Sequence, residues 1–347
     1  MTADAERALL AQAIATVPKA ELHCHYMGTV RHATLVEIAG ATGIELPPSC
    51  RDGYRFASFP EFLEVFDTAG RAITREEDLA RVAYEALEDG LNDANVIHRE
   101  LHVEVQAHVR AGVPFRRVLD GVTAGIRRAH RTLGVTSRVL VALDRGTTSA
   151  EEAVEFVKQT VDYGDELVCG LALSGAEGDG PPERFAAAFQ LAEREGLRRA
   201  NHVCEDNQSI ERAPAANYLT SRDLLRCERY DHGNNLVSDP EVLAEAARDG
   251  AVFNVVTFTS AEGRRASRRA SIRVMKDAGL RLTVNSDDPA MFGVTVRDCY
   301  QTLFDESGWG LHELREMIEN GFEASWLSET ERRAALARVD AAFTALA

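Results

Sequence analysis

The chain is poor in cysteine: six in 347 residues, at positions 24, 50, 169, 204, 227 and 299, with no CxxC pair. That spacing excludes a disulfide framework and points to a reducing, cytoplasmic setting. No apolar run reaches the roughly 18 residues that a membrane-crossing helix needs, and residues 1–17 carry acidic side chains where a leader would be apolar. Neither a membrane span nor a signal peptide is therefore expected. Basic residues are the minority, 39 Lys and Arg against 55 Asp and Glu, for a net charge of -16. A nucleic-acid partner is excluded on that account, because binding phosphates requires a basic face. Nor is there a repeat, a low-complexity tract or a Pro/Gly-rich linker, so 1–347 is read as one domain. No glycine fingerprint follows the first predicted strand, which argues against a nicotinamide or ATP cofactor.

What the chain does have is a regular alternation. Short runs rich in Val, Ile and Leu fall near 20–25, 96–103, 138–143, 167–173, 199–203, 226–231, 251–256 and 281–285, and helical spacing fills 149–162, 182–195, 239–249 and 266–278. Eight strands alternating with helices predict an α/β fold, a (β/α)8 TIM-type barrel. Asp239-Pro240 is a helix start, a capping side chain before proline at the first helical position. The gap between the first two strands is too long for one crossover helix, so about 51–92 is read as a helical insertion beside the barrel mouth. Helices are also expected at 4–16 and as a tail over 311–346.

Chemistry-bearing residues cluster where four of these strands end. The first cluster is Glu21-Leu22-His23-Cys24-His25, in which strand alternation sends both imidazoles to one side. The others are Asn201-His202-Val203-Cys204-Glu205, Asp231-His232-Gly233 and Asn285-Ser286-Asp287-Asp288-Pro289. Zinc takes imidazole nitrogen and carboxylate oxygen, and a catalytic site keeps one position open. Three His and one Asp would hold the metal, leaving a Glu, a His and a second Asp for proton transfer and substrate contacts. The C-terminal ends of strands are where barrel enzymes place their chemistry.

With these motifs in order, from Pro18-Lys19-Ala20-Glu21-Leu22-His23-Cys24-His25 to Ser286-Asp287-Asp288-Pro289-Ala290-Met291-Phe292-Gly293, the chain resembles the adenosine deaminase family of amidohydrolase-like barrels. The resemblance implies that His23, His25, His202 and Asp287 bind one zinc ion per chain. It implies that Glu205 protonates the purine ring, that His232 handles the proton of the water, that Asp288 meets the N7 side and that the Gly175 backbone meets N3. The reaction implied is hydrolytic deamination of a small-molecule purine nucleoside, with a homo-oligomer compatible. The other zinc deaminase signature, H-x-E with P-C-x-x-C, is absent.

The departures bear on substrate. Adenosine-type members carry Asp two residues after the second histidine, and adenine-specific ones carry Glu; here Met27 stands there, and a thioether is only a weak acceptor. Met27 is accordingly expected to bind substrate and to favour an adenosine altered at its 5' end, such as aminodeoxyfutalosine. Ala172 replaces an expected Asp, and Val203-Cys204 replaces Ala-Gly beside the catalytic acid. Phe258-Thr259-Ser260-Ala261 and then a basic run, Arg264, Arg265, Arg268 and Arg269, replace the segment after strand seven; that run is a candidate receiver for a substrate anion. The alternatives are an adenine deaminase, an amidohydrolase acting on another cyclic C–N bond, and a non-catalytic binding homologue.

Overall fold

The computed structural model describes residues 2–205, 215–259 and 264–346. Eight strands, β1 (Lys19–His25), β2 (Val96–Val103), β3 (Thr136–Asp144), β4 (Val168–Ser174), β5 (Arg198–Val203), β6 (Arg229–His232), β7 (Val252–Val256) and β8 (Arg281–Asn285), form one sheet in sequential order. All neighbours pair in parallel. The ring shuts between first and last strands, where His25 N donates to Asp287 O at 2.8 Å, Asp287 N donates to His23 O at 3.3 Å, and the Asn285 side chain accepts from Leu22 N at 2.8 Å. This is the expected (β/α)8 barrel.

Strands β1, β2 and β7 are buried along their whole length; β7 is mostly apolar, whereas β1 and β2 bury charged and imidazole side chains as well. Strand β6 starts three residues later than its sequence suggests. Arg226 takes a left-handed φ of +54° and Cys227 N closes a turn on Ser221 O, so the chain is still rounding a corner there.

One helix precedes β1 and three fill the gap between β1 and β2: α1 (Ala3–Thr16), then α2 (His32–Thr42), α3 (Phe59–Ala72) and α4 (Glu76–Ala94). Helix α3 starts at Ser58, whose hydroxyl accepts from Glu61 N, and its Phe59, Phe62, Leu63 and Phe66 recur at helical spacing along one face. That face roofs the barrel mouth. The predicted start at Asp239 is a true cap, since its carboxylate accepts from Glu241 N and Val242 N. At the other end of the barrel the floor is built of buried charge. Arg229 donates to Glu100 at 2.5 Å and lies 3.6 Å over the Trp326 ring, while Lys19 Nζ donates to Val17 O at 2.7 Å and Ala94 O at 3.2 Å.

Candidate metal centre and cavity

The imidazoles of β1 and β5 meet the carboxylate that follows β8. His23 Nε2 lies 3.3 Å from His25 Nε2, 3.1 Å from His202 Nε2 and 3.1 Å from Asp287 Oδ1. His25 Nε2 lies 3.1 Å from His202 Nε2 and 3.2 Å from Asp287 Oδ1. Three imidazole nitrogens converging on one point cannot satisfy one another with hydrogens, because at most some of them carry a proton. A cation at the centre resolves this. Donors about 2.0–2.1 Å from a tetrahedral zinc stand about 3.4 Å apart, and these edges match. The donor set fits one zinc ion, with His232 facing the same centre.

Carboxylates behind the imidazoles fix their orientation. Glu104, just past β2, brings Oε1 to 2.5 Å from His25 Nδ1. Asp231 on β6 brings Oδ2 to 3.3 Å from His202 Nδ1 and Oδ1 to 3.8 Å from His23 Nδ1. Asp231 is itself held by Asn254 on β7 at 2.8 Å, Asn254 by Thr283 on β8 at 2.8 Å, and Thr283 by Asn285 at 2.9 Å. Such partners set the tautomer and raise ligand basicity. Burial lowers His202 to about 4, outweighing the pull of Asp231, so the imidazole is neutral, as a ligand must be. Burial works against ionising Asp287, but His23, His25 and His232 outweigh it and hold that carboxyl well below its ordinary value. Burial and then Asp287 push Asp288 well above its own.

Three of these residues have left-handed backbone: Cys204 at φ +52°, His232 at +67° and Asp287 at +67°. Each ends a strand and must turn its neighbour into the mouth. Around Cys204 the turn is clamped by Glu177, whose Oε1 accepts from Cys204 N at 2.9 Å and whose Oε2 accepts from Glu205 N at 2.8 Å. Asn217 donates to the same Glu177 at 2.8 Å. Glu205 is thereby aimed into the cavity, with Oε1 at 3.5 Å from His232 Nε2. Asp288 sits against Gly28, where a Cβ would come within 2.6 Å of the Asp288 Cα, so only glycine fits there.

The cavity has a volume of about 300 Å³, within the usual range of ligand sites. Its floor is His25, His202, Glu205, His232, Asp287 and Asp288, its roof the apolar face of α3 with Phe292, and its far wall Glu104, Arg110, Asp144 and Gly175. Gly175 has φ +85°, and a Cβ there would run into Asp144 Oδ1. The structure thus brings together His23, His25, His202, Glu205, His232, Asp287, Asp288 and Gly175. It does not bring in Met27. The chain leaves β1 through a short 3-10 turn, Met27–Thr29, which breaks the strand alternation, and Met27 is fully buried behind the wall with its methyl toward Gly70 of α3. The expectation that Met27 contacts substrate is corrected accordingly.

The basic run is also placed differently from its expected role. Arg264 is exposed, Arg265 donates to Thr259 O and lies over Phe258, and Arg269 pairs with Glu306 at 2.7 Å; none of them lines the cavity. Ser260 and Ala261 lie outside the described residues. Arg268 turns inward instead, as the first of a buried stripe with Ile272 and Met275 at helical spacing. Glu104 and Glu177 escape a reading of the sequence. Glu104 directly follows β2, at the same end of the barrel as the histidine and aspartate clusters, and that position is its only signal.

Fold and donor set together define a metal-dependent hydrolase of the barrel type. The chain belongs to the adenosine deaminase family, whose model matches residues 18–342. An adenine deaminase from Caulobacter vibrioides is 30% identical over 337 residues, 95% of each chain. One from Streptomyces coelicolor is 31% identical over 337 residues, 95% of this chain and 96% of its own. Among solved structures, an amidohydrolase from Burkholderia ambifaria with bound zinc aligns at a TM-score of 0.88 and 31% identity, covering 100% of this chain and 95% of its own. An adenine deaminase from Arthrobacter aurescens aligns at 0.83 and 27% identity, covering 94% and 98%. Membership sets the reaction class as hydrolysis of a C–N bond.

Proposed function

We propose that the protein is a zinc-dependent hydrolytic deaminase of a 6-aminopurine. The observation that carries this reading is the four-donor cluster His23, His25, His202 and Asp287 opening onto Glu205, His232 and Asp288 under an apolar roof. When bound, zinc supplies a nucleophile near neutral pH by acidifying water. Replacing an amino group on an aromatic ring means adding water across a C=N bond and then losing ammonia. Glu205 delivers the proton to the ring nitrogen, Asp288 and the Gly175 backbone orient the base, and α3 excludes bulk water.

For the finer specificity we propose a nucleoside altered at its 5' end. It is supported by the absence of a carboxylate at position 27, where adenosine-type members carry an acceptor. Free adenine is the second reading, favoured by the Caulobacter, Streptomyces and Arthrobacter relatives named adenine deaminase. Ammonia release and the purine absorbance change, measured across adenine, adenosine, 5'-deoxyadenosine and 5'-extended adenosines, test both readings. A kcat/KM for adenine or adenosine above that of every 5'-modified compound would reject the nucleoside proposal. No turnover of any 6-aminopurine by zinc-loaded protein would reject the deaminase reading itself.

A further inference from the structure

The buried arginine of the helix Arg265–Asp277 touches both proton-handling residues at once. Arg268 is fully buried, its Nη2 donates to Glu205 Oε1 at 3.0 Å, its Nη1 faces His232 Nδ1 at 3.5 Å, and the same Nη1 donates to Phe258 O at 3.2 Å. A guanidinium has hydrogens to give and no lone pair to receive one. His232 Nδ1 can therefore only accept. A neutral His232 then carries its proton on Nε2, the nitrogen 3.5 Å from Glu205 Oε1, and has no basic nitrogen left to take a proton. The same guanidinium favours Glu205 as a carboxylate, since a buried ion pair broken by neutralising one member leaves a charge uncompensated.

We infer that Arg268 is a positioning residue that makes Glu205 the base as well as the acid of the reaction, and leaves His232 a neutral donor that orients the water. The inference rests on the deaminase reading of the site. In the step it describes, an O–H bond of the attacking water breaks and its proton goes to Glu205. The oxygen pair forms the bond to the amino-bearing carbon, the C=N π pair moves onto the ring nitrogen, and that nitrogen takes the same proton from Glu205. Water is added across C=N with no outside acid or base. Among the described residues, the charged and titratable groups around Glu205 include Arg268 from the helix, His232 at the end of β6, Arg145 after β3, Asp288 after β8 and the clamping Glu177.

The two orders of proton transfer make opposite predictions for Arg268→Gln in the zinc-loaded enzyme. If Glu205 had to start protonated, removing the guanidinium would raise kcat/KM at pH 7. The inference expects a fall of roughly 10²-fold, the scale of a misplaced catalytic group, with the acid limb of the kcat/KM profile displaced to higher pH and zinc content unchanged. Arg268→Lys, which keeps the charge, should recover part of the loss and return the limb toward wild type. Infrared difference spectra between wild type and Glu205→Gln, taken with zinc and without substrate at pH 6, should show Glu205 as carboxylate. That readout stands even if Arg268→Gln does not fold. A protonated Glu205 in the resting wild type, or an Arg268→Gln enzyme as fast as or faster than wild type at pH 7, overturns the inference. Failure of wild type to deaminate any 6-aminopurine defeats the functional reading and with it the water-to-ring transfer, while the spectrum still decides whether Arg268 holds Glu205 ionised.

Discussion

The two ends of the barrel treat buried polarity in opposite ways. On the floor, Glu100 accepts from Arg229 at 2.5 Å, from the Trp326 backbone N at 2.6 Å and faces His98 Nε2 at 3.2 Å. Burial works against that carboxylate, yet Arg229 and His98 outweigh it and lower Glu100 to about 2. At the mouth, Glu104 Oε2, Asp288 Oδ1 and both His102 nitrogens have no hydrogen-bond partner among the described residues. There too lie the strained Cys204, His232 and Asp287, each carrying a left-handed conformation that costs of order 1–3 kcal/mol. The floor pairs its charges with one another, leaving Arg229 Nε as the exception without a hydrogen-bond partner among the described residues. The mouth holds unpartnered polar atoms and left-handed backbone beside the four-donor cluster.

This contrast can be broken from either side. The largest effect expected is metal removal: chelation should bring turnover to background, and zinc, measured at one per chain, should restore it. Glu205→Gln should retain zinc and lose roughly 10² to 10⁴-fold in kcat, and activity within tenfold of wild type would move the ring proton to another group. On the floor, Arg229→Met strands Glu100 and should cost about 3–5 kcal/mol of stability, read by urea denaturation, with kcat/KM nearly unchanged. A catalytic loss of the same size would show that the two ends are not independent. Glu104→Gln should weaken zinc by roughly 10 to 100-fold in a competition titration while barely moving stability.

The last prediction concerns Lys19, buried at the start of β1 and lowered to about 7 by burial, with Arg297 adding to it. The native state sheds this proton near pH 7, whereas the unfolded chain keeps it until about 10.5. Between those values the unfolded state binds more protons, so this residue's contribution to stability grows as pH rises from 7 to 10.5 and is lost as pH falls through 7. Denaturation midpoints of wild type and Lys19→Met should diverge along that slope.

The parts of this architecture visible in the sequence are those that local chemistry decides. Strands β2 and β8 have the boundaries their apolar runs predict, Asp239-Pro240 opens its helix, and the four ligating clusters end the strands expected of them. What stays hidden depends on direction rather than composition. Met27 reads as a substrate contact from the family position it occupies, whereas the 3-10 turn after β1 leaves it out of the cavity lining. The basic run reads as uniform, yet helical phase buries Arg268 alone and leaves its neighbours at the surface or on other partners. Glu177 acts through backbone N–H groups 27 and 28 residues away, and no local pattern announces that.

The seam where β1 meets β8 ties metal capture to the history of the chain. Asp287, the candidate ligand that follows the last strand, is bonded through its backbone to the first strand at His25 N and His23 O. During synthesis, the histidine pair leaves the ribosome more than 260 residues before this carboxylate. The four-donor set is therefore complete only once the segment after the final strand has been made and has closed the ring.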